Sequence, residues 1–395
     1  MDKAKPFGIP KRAVWEAYKR VKENHGAAGV DGQSIADFEE NLSGNLFKIW
    51  NRMCSGSYQP PPVLRVEIPK ASGVGVRPLG IPTVADRIAQ TVAKNYLEPI
   101  LEAVFDEDSY GYRPRRYASV AIATARARCW RYNWVLEFDI RAFFDNLDHD
   151  LLLRAVRRHT DCKWLLLYVK RWLTAPVQLE GGGQLARDKG TPQGGVISPL
   201  LANRYMNRYL RYWKQCAGER QFAARLVNYA DDFVILSRGK ANEALAWTRQ
   251  AMTKLKLEIN ETKTCVRDAS QEQFDFLGYS FGLHYVKRTG KPYLGASASS
   301  KSVKRIKAKV SETLRPQSGP WEEVRDRLNR MLVGWEGYFH HGSKRKSYRA
   351  VNAHVRTTVR NFLQRRHKVS SRGTRQFSHT TIFTDLRVHE MGGAR

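Results

Sequence analysis

Leu226-Val227-Asn228-Tyr229-Ala230-Asp231-Asp232-Phe233-Val234-Ile235-Leu236 is the stretch whose reading decides the fold. Two apolar runs, Leu226–Tyr229 and Phe233–Leu236, flank Ala230-Asp231-Asp232, the outline of a hairpin with two acids at its tip. Adjacent carboxylates bounded by buried strands repel one another and destabilise the chain unless something cationic neutralises them. A second apolar run, Trp134-Val135-Leu136-Glu137-Phe138-Asp139, also ends in an acid. If the two strands are neighbours, three carboxylates converge, and hard oxygen ligands of that kind suit Mg²⁺. Two such ions would serve in-line phosphoryl transfer. Alone, Tyr-x-Asp-Asp is a weak signal, because a solvated turn also explains an Asp-Asp pair.

Outward from this centre, residues 11–57 read as helices, interrupted by the glycine-rich loop His25-Gly26-Ala27-Ala28-Gly29-Val30-Asp31-Gly32. Val63–Ile68 reads as a strand after Pro60-Pro61-Pro62, and Thr83-Val84-Ala85-Asp86-Arg87 opens a helix running toward Ile100. Asp148 has the position of an N-cap. Beyond residue 300 the period is helical. Trp321, Val324, Leu328, Leu332, Trp335 and Phe339 make one stripe, and Tyr348, Val351, Val355, Val359 and Phe362 another. Ser297–Ser300 reads as a linker, with a mixed α+β part before it and an all-α part after it.

The chain has 395 residues, 42% of them apolar, enough to bury a core and to form two or three domains. No run of about 18 apolar residues marks a membrane span, and the N-terminus lacks the apolar stretch of a signal peptide. Five scattered cysteines contain no C-x-x-C pair, so neither zinc nor a disulfide framework is expected, and a reducing cytoplasm fits. With 67 Lys and Arg against 38 Asp and Glu the net charge is +29, which points to a polyanion, above all nucleic acid. Residues 301–395 hold 22 Lys and Arg against 7 Asp and Glu, so about half the excess lies in the last quarter. A solvated basic face is the bland reading; a surface tracking a phosphate backbone is the sharper one.

Seven segments in order carry a resemblance. They are Val76-Arg77-Pro78-Leu79-Gly80-Ile81-Pro82-Thr83-Val84-Ala85-Asp86-Arg87; Ser109-Tyr110-Gly111-Tyr112-Arg113-Pro114; Phe138-Asp139-Ile140-Arg141-Ala142-Phe143-Phe144-Asp145; and Gly190-Thr191-Pro192-Gln193-Gly194-Gly195-Val196-Ile197-Ser198-Pro199. Tyr229-Ala230-Asp231-Asp232, Leu257-Glu258-Ile259-Asn260-Glu261-Thr262-Lys263-Thr264 and Phe276-Leu277-Gly278-Tyr279 complete the set. Together they resemble the sequence blocks of group II intron-encoded reverse transcriptase/maturases. Ala28-Gly29-Val30-Asp31-Gly32 is similar to the N-terminal extension of that family, and Gly334-Trp335-Glu336-Gly337-Tyr338-Phe339 with the basic helix after it to the maturase domain. The likeness covers essentially the whole chain. No Cys follows Cys265, so the Cys-rich DNA endonuclease domain of many relatives is not expected.

The resemblance implies an α+β right-hand polymerase, with fingers and an antiparallel palm sheet, followed by an all-α thumb/maturase domain. Its divisions would be an N-terminal extension over 1–60, fingers and palm over 61–296, and a helical RNA-binding domain over 297–395. It implies an RNA-directed DNA polymerase acting on an RNA template, a DNA or RNA primer and dNTPs, with two Mg²⁺ ions (Mn²⁺ as substitute) and intron RNA as partner. Asp139, Asp231 and the carbonyl of Ile140 would be metal ligands, with Asp232 as a supporting acid. Phe144 would exclude a 2′-OH, with Phe143 as its core neighbour. Lys70 and Arg77, seven residues apart, would meet the triphosphate, a cation pair suited to charge developing on pyrophosphate. Gln193 and Lys263 would contact the nucleotide, and Arg113 would brace fingers or template as an RNA-side residue. Arg349, Arg356, Arg360, Arg365 and Arg366, with Lys368, would present a basic face to RNA. Three other readings share these motifs: a maturase with a relict polymerase, an RNA polymerase with the same palm, and a free-standing relative in defence or repair. Intact Asp139, Asp231, Asp232 and Lys70 argue against the first, and Phe144 against the second.

Overall fold

The computed structural model describes residues 5–69, 75–216, 218–286, 288–315 and 319–393. Helices α1 (Lys11–Glu23), α2 (Ile35–Glu40) and α3 (Leu42–Ser55) come first. The glycine-rich loop after α1 lies over the start of α4 (Val84–Glu102), where a Cβ on Gly29 would stand 2.7 Å from Thr83 Cα. Only a residue without a side chain permits that approach. Between these helices, β1 (Val63–Pro69) and β2 (Val76–Ile81) form an antiparallel hairpin, Leu64 opposite Ile81 and Ile68 opposite Arg77. Helix α5 (Ala118–Cys129), strand β3 (Trp134–Phe138), helix α6 (His149–Arg157) and helix α7 (Lys163–Thr174) follow. Asp148 caps α6 as expected, its carboxylate accepting the Leu151 N–H. Short strands β4 (Val177–Gln178) and β5 (Gln184–Leu185) extend the first hairpin into a sheet of order β2-β1-β4-β5.

The central sheet is built from β3, β6 (Ala224–Tyr229), β7 (Asp232–Ser237) and β8 (Cys265–Asp268), in the antiparallel order β6-β7-β3-β8. Its strands alternate with period two, and the alternation sorts their side chains between two cores. Leu136, Phe138, Leu226, Phe233 and Ile235 face one core with helix α8 (Ser198–Cys216) and helix α10 (Ala241–Lys254), short helix α9 (Gly218–Phe222) lying between them in the chain. Val135, Val227, Val234 and Leu236 face the other core, with α5 and a third sheet. Each such side chain, fully buried, contributes about 1.5–3 kcal/mol relative to exposure.

The third sheet, β9 (Phe274–Phe276), β10 (Tyr279–Tyr285) and β11 (Pro292–Ala298), has the order β11-β10-β9. Its last strand runs almost directly into α11 (Ser300–Thr313), which packs with α12 (Trp321–Tyr338) and α13 (Arg345–Arg366) around Val310, Leu328, Val351 and Val355. The linker expected over Ser297–Ser300 is therefore absent. Ser297 and Ala298 end β11, Ser299 caps α11 and its N–H donates to the Gly278 carbonyl at 3.0 Å. Seryl side chains read as loop formers in sequence serve here as strand end and N-cap. Trp335 touches both the helical core and the core of the third sheet, and its ring lies tilted against Phe339 with centroids 4.6 Å apart. The whole is a mixed α/β assembly with a helical C-terminal region. Among the described residues no helix is long and apolar enough to cross a membrane.

Candidate active site

Register brings the acids together. Phe138 lies opposite Phe233 in the β3–β7 pair, so the next step along each strand sets Asp139 against Asp232. Both fall on the parity of Val135 and Val234, on the side of the third sheet. Asp139 and Asp232 line one groove of about 490 Å³ with Glu137, Lys263 and Lys301. Asp232 also opens onto a second groove of about 510 Å³ that reaches Arg305, Lys309 and Tyr338 of the helical region.

Asp231 owes its position to a braced turn. Tyr229 and Asp232 are the last pair of the β6–β7 hairpin, leaving Ala230 and Asp231 as its loop. Ala230 has φ +58°, a left-handed conformation that an L side chain adopts only when its surroundings enforce it. Here Asn228 enforces it: its Nδ2 donates to the Ala230 carbonyl at 2.8 Å, while its carbonyl accepts the Tyr110 N–H and its Oδ1 the Ser109 hydroxyl. Gly111 presses against the same turn, where a Cβ would lie 2.3 Å from Ala230 N. The Ser-Tyr-Gly segment and the hairpin are thus one unit, a coupling the sequence does not display.

Burial is the largest cause raising the Asp231 carboxyl, and Asp139 adds to it while Arg77 opposes. Asp232 is pushed up to about 6, first by burial, then by Asp231 and Asp139. Like charges facing across two strands are unfavourable, and among the described residues neither Asp231 nor Asp232 has an ion-pair partner. Asp139 does. Its carboxylate accepts from Lys263 Nζ at 3.2 Å and Asn260 Nδ2 at 3.1 Å. The three carboxylates stand near enough to act on one another, although among the described residues no three His, Cys, Asp or Glu side chains are gathered closely enough to hold a metal ion. Chemically the donor set still fits a hard divalent cation, since three mutually repelling carboxylates share one edge.

Other expected residues are distributed around these acids. Arg77 stands near enough to act on Asp231, Asp232 and Tyr112. Lys70 lies outside the described residues. Phe143 is core, 4% exposed, while Phe144 is half-buried with the edge of Tyr112 against it at 6.4 Å. Ile140 is buried, and the backbone beside it is bonded to the 258–260 segment. Gln193 sits in a turn locked to β2, with its carbonyl accepting the Gly80 N–H at 2.7 Å. Gly194, at φ +122°, approaches so closely that a Cβ would lie 2.4 Å from the Gly80 oxygen. Sequence reasoning missed Asn228, Asn260 and the pair Asp145 and Arg187 that joins Gln193, in which burial raises the Asp145 carboxyl against Arg187. Asn260 stood inside a quoted block, three residues before Lys263; that spacing on a turn was the available signal.

Two expectations about arginine need correction. Of the roles expected for Arg113, bracing stands and an exposed RNA-side position does not. Its side chain is only 3% exposed, bidentate to Glu102 and bonded to the carbonyls of Asp106 and Ser109. A fully occupied, buried guanidinium is an internal brace. Nor do the arginines of α13 share one face. At about 100° per residue, Arg349, Arg356 and Arg360 fall on one flank, Arg365 on the other, and Arg366 beneath the buried stripe. Arg366 donates to the Gly319 carbonyl at 2.7 Å and Arg360 to that of Phe377 at 3.2 Å.

Comparison with known proteins supplies the family. Residues 68–281 match the model for reverse transcriptase (RNA-dependent DNA polymerase), and residues 303–378 the model for the group II intron, maturase-specific domain. Protein YkfC of Escherichia coli is 35% identical, with 64% of this chain and 74% of that protein covered. Group II intron-encoded protein LtrA of Lactococcus lactis is 28% identical over 70% of this chain, which spans only 56% of LtrA. Nuclear intron maturase 1 of Arabidopsis thaliana is 31% identical over 20% of the chain. The acids on neighbouring strand ends and the braced Tyr-x-Asp-Asp turn lie inside the first matched range, and α11–α13 overlap the second; the chain belongs to the group II intron-encoded reverse transcriptase/maturase family.

Proposed function

We propose that this chain copies RNA into DNA from a primer 3′-OH and binds intron RNA to assist splicing and mobility. The observation that carries this is the β3–β7 register, which opposes Asp139 to Asp232 beside the Asp231 turn. In this reading the β2-β1-β4-β5 sheet belongs to the fingers, the central sheet is the palm and α11–α13 form the thumb. The corresponding divisions are 1–60, 61–296 and 297–395.

Asp139, Asp231 and the Ile140 carbonyl would hold two Mg²⁺ ions, with Mn²⁺ as substitute, and Asp232 would support them. The ions would supply activation of the attacking hydroxyl and neutralisation of the leaving pyrophosphate. This chain's own residues do the rest. Arg77, aimed at the acids from the β1–β2 hairpin, meets the triphosphate, and Lys70, outside the described residues, is assigned to the same triphosphate. Lys263 holds Asp139 and stands within reach of the same phosphates. The Gln193 turn, fixed to Gly80, sets one wall for the nucleotide. Arg349, Arg356 and Arg360 present one basic flank to RNA and Arg365 another.

The direct test is extension of a primer annealed to RNA, with dNTPs and a divalent cation; failure to make cDNA with either Mg²⁺ or Mn²⁺ sinks the proposal. Phe144 gives a finer one. Its half-buried ring, propped by Tyr112, is placed to exclude a 2′-OH. Phe144→Ala is expected to raise ribonucleotide relative to deoxynucleotide incorporation roughly tenfold or more, the scale of a steric pocket change. Unaltered discrimination in single-nucleotide addition assays removes Phe144 from that role.

A further inference from the structure

On the side of the helical layer turned away from the central sheet, five arginines gather with no acid among them. Arg154 and Arg158 come from α6 and the residue that closes it, and Arg204, Arg208 and Arg211 from α8. With Tyr212 they line a pocket of about 360 Å³. Helical spacing explains the grouping: positions i and i+4 on one helix face positions i, i+4 and i+7 on its neighbour. Tyr205, Tyr209 and Trp213 turn the other side of α8 toward the sheet, so the arginines point away from the carboxylates.

Ordinary solvated arginines are spread out and paired. These are neither. Arg204 is 4% exposed, and its Nε donates to the Ala155 carbonyl at 3.1 Å. Arg208 carries a buried Nη1 without a hydrogen-bond partner. Among the described residues none of the five is ion-paired with a carboxylate. Burial and then Arg208, Arg211 and Arg158 pull Arg204 down to about 10. After burial, Arg204, Arg158 and Arg211 hold His159 below its usual value. Like charges packed this way oppose folding unless an anion joins them.

We propose that this pocket is a second phosphate-binding site, taking backbone phosphates of structured RNA that lies outside the polymerase groove. Guanidinium forks suit phosphate oxygens bidentately. The rim favours a nucleic acid over a free phosphate. Tyr212, 38% exposed, stacks on Trp247 at 5.0 Å with Lys254 Nζ 5.6 Å from its ring, a flat aromatic and a cation beside the guanidinium cluster. The choice of RNA rests on the function proposed above; the anion site itself does not.

Arg208→Gln with Arg211→Gln tests it in the full chain, both side chains reaching solvent. Binding of a structured RNA hairpin is measured by filter retention across a salt series. Each phosphate contact contributes about 0.9 to the slope of log K against log salt, so two lost contacts flatten it by about 1.8 and make the fall in affinity between about 50 and about 200 mM salt roughly tenfold smaller. Arg208→Lys with Arg211→Lys restores most of the slope. Extension of a short pre-annealed primer at low salt stays at the wild-type rate, which separates this site from the active site. If wild type itself made no cDNA while the slopes still differed, the polymerase reading would fail and the phosphate site would stand. Superimposed salt lines for wild type and variant overturn the proposal. So does calorimetry in which inorganic pyrophosphate or poly-glutamate, rather than the hairpin, distinguishes the two proteins.

Discussion

Primer extension by Asp231→Ala is expected to fall by at least about 10³-fold, the effect of removing several kcal/mol of metal-borne transition-state stabilisation. Affinity for template–primer should remain close to that of the wild type, because the substitution removes no cation. Folding should also survive. Asp231 is one of two loop residues, and the turn is held through Asn228 and the Ala230 carbonyl rather than through the Asp231 carboxylate. Deleting it relieves a repulsion, since Asp231 is the second-largest cause of the raised Asp232 carboxyl, after burial. Thermal unfolding of the variant should therefore begin no earlier than that of the wild type. Asp232→Ala should be the milder lesion, matching a supporting acid. Vigorous cDNA synthesis by the Asp231 variant, on RNA and with either divalent cation, would remove the acid from the chemistry altogether.

How much of this site could be read from the chain depends on the range over which its causes act. The β6–β7 hairpin and the strand ending at Asp139 were legible because period-two apolar runs are local signals, and the central acids follow from them. Pairing of β3 with β7 was only conditional in sequence, for it joins segments about a hundred residues apart. For Asn260 and Lys263 the spacing on a turn was visible, but their partner Asp139, more distant still in the chain, was not. Arg113 misled for a different one. An arginine between tyrosine and proline looks exposed until Glu102, one helix earlier, is found to occupy its fork. The serines at 297–300 read as a linker because composition does not distinguish a loop from an N-cap. The arginines of α13 read as a single basic face because counting charges ignores the angle between positions, which helical geometry then imposes.

Asp86 is a carboxylate that sequence places at the start of a helix and the structure places between α4, α7 and the segment that follows α3. It is 1% exposed. Tyr58 Oη and Trp172 Nε1 both donate to its Oδ1 at 2.8 Å, and Gln90 Nε2 donates to its Oδ2 at 2.9 Å. Burial raises this carboxyl while the three donors pull against the rise. Asp86→Ala leaves all three donors buried and unmatched, and is expected to cost about 3–5 kcal/mol, readable as a lower denaturation midpoint in urea. The injury should also reach the nucleotide. Gln90 uses its other end to accept the Ile197 N–H at 3.2 Å, next to the turn that carries Gln193. Freed from Asp86, Gln90 no longer fixes that turn, so KM for dNTP should rise more than kcat falls in whatever fraction remains folded. Asp86→Asn separates the two effects. One amide oxygen still serves Tyr58 and Trp172, but the amide NH₂ now opposes the NH₂ of Gln90, so most stability returns while the raised KM persists. A wild-type midpoint for Asp86→Ala would show that the buried carboxylate carries no structural weight. A wild-type KM for Asp86→Asn would show that the turn is held without it.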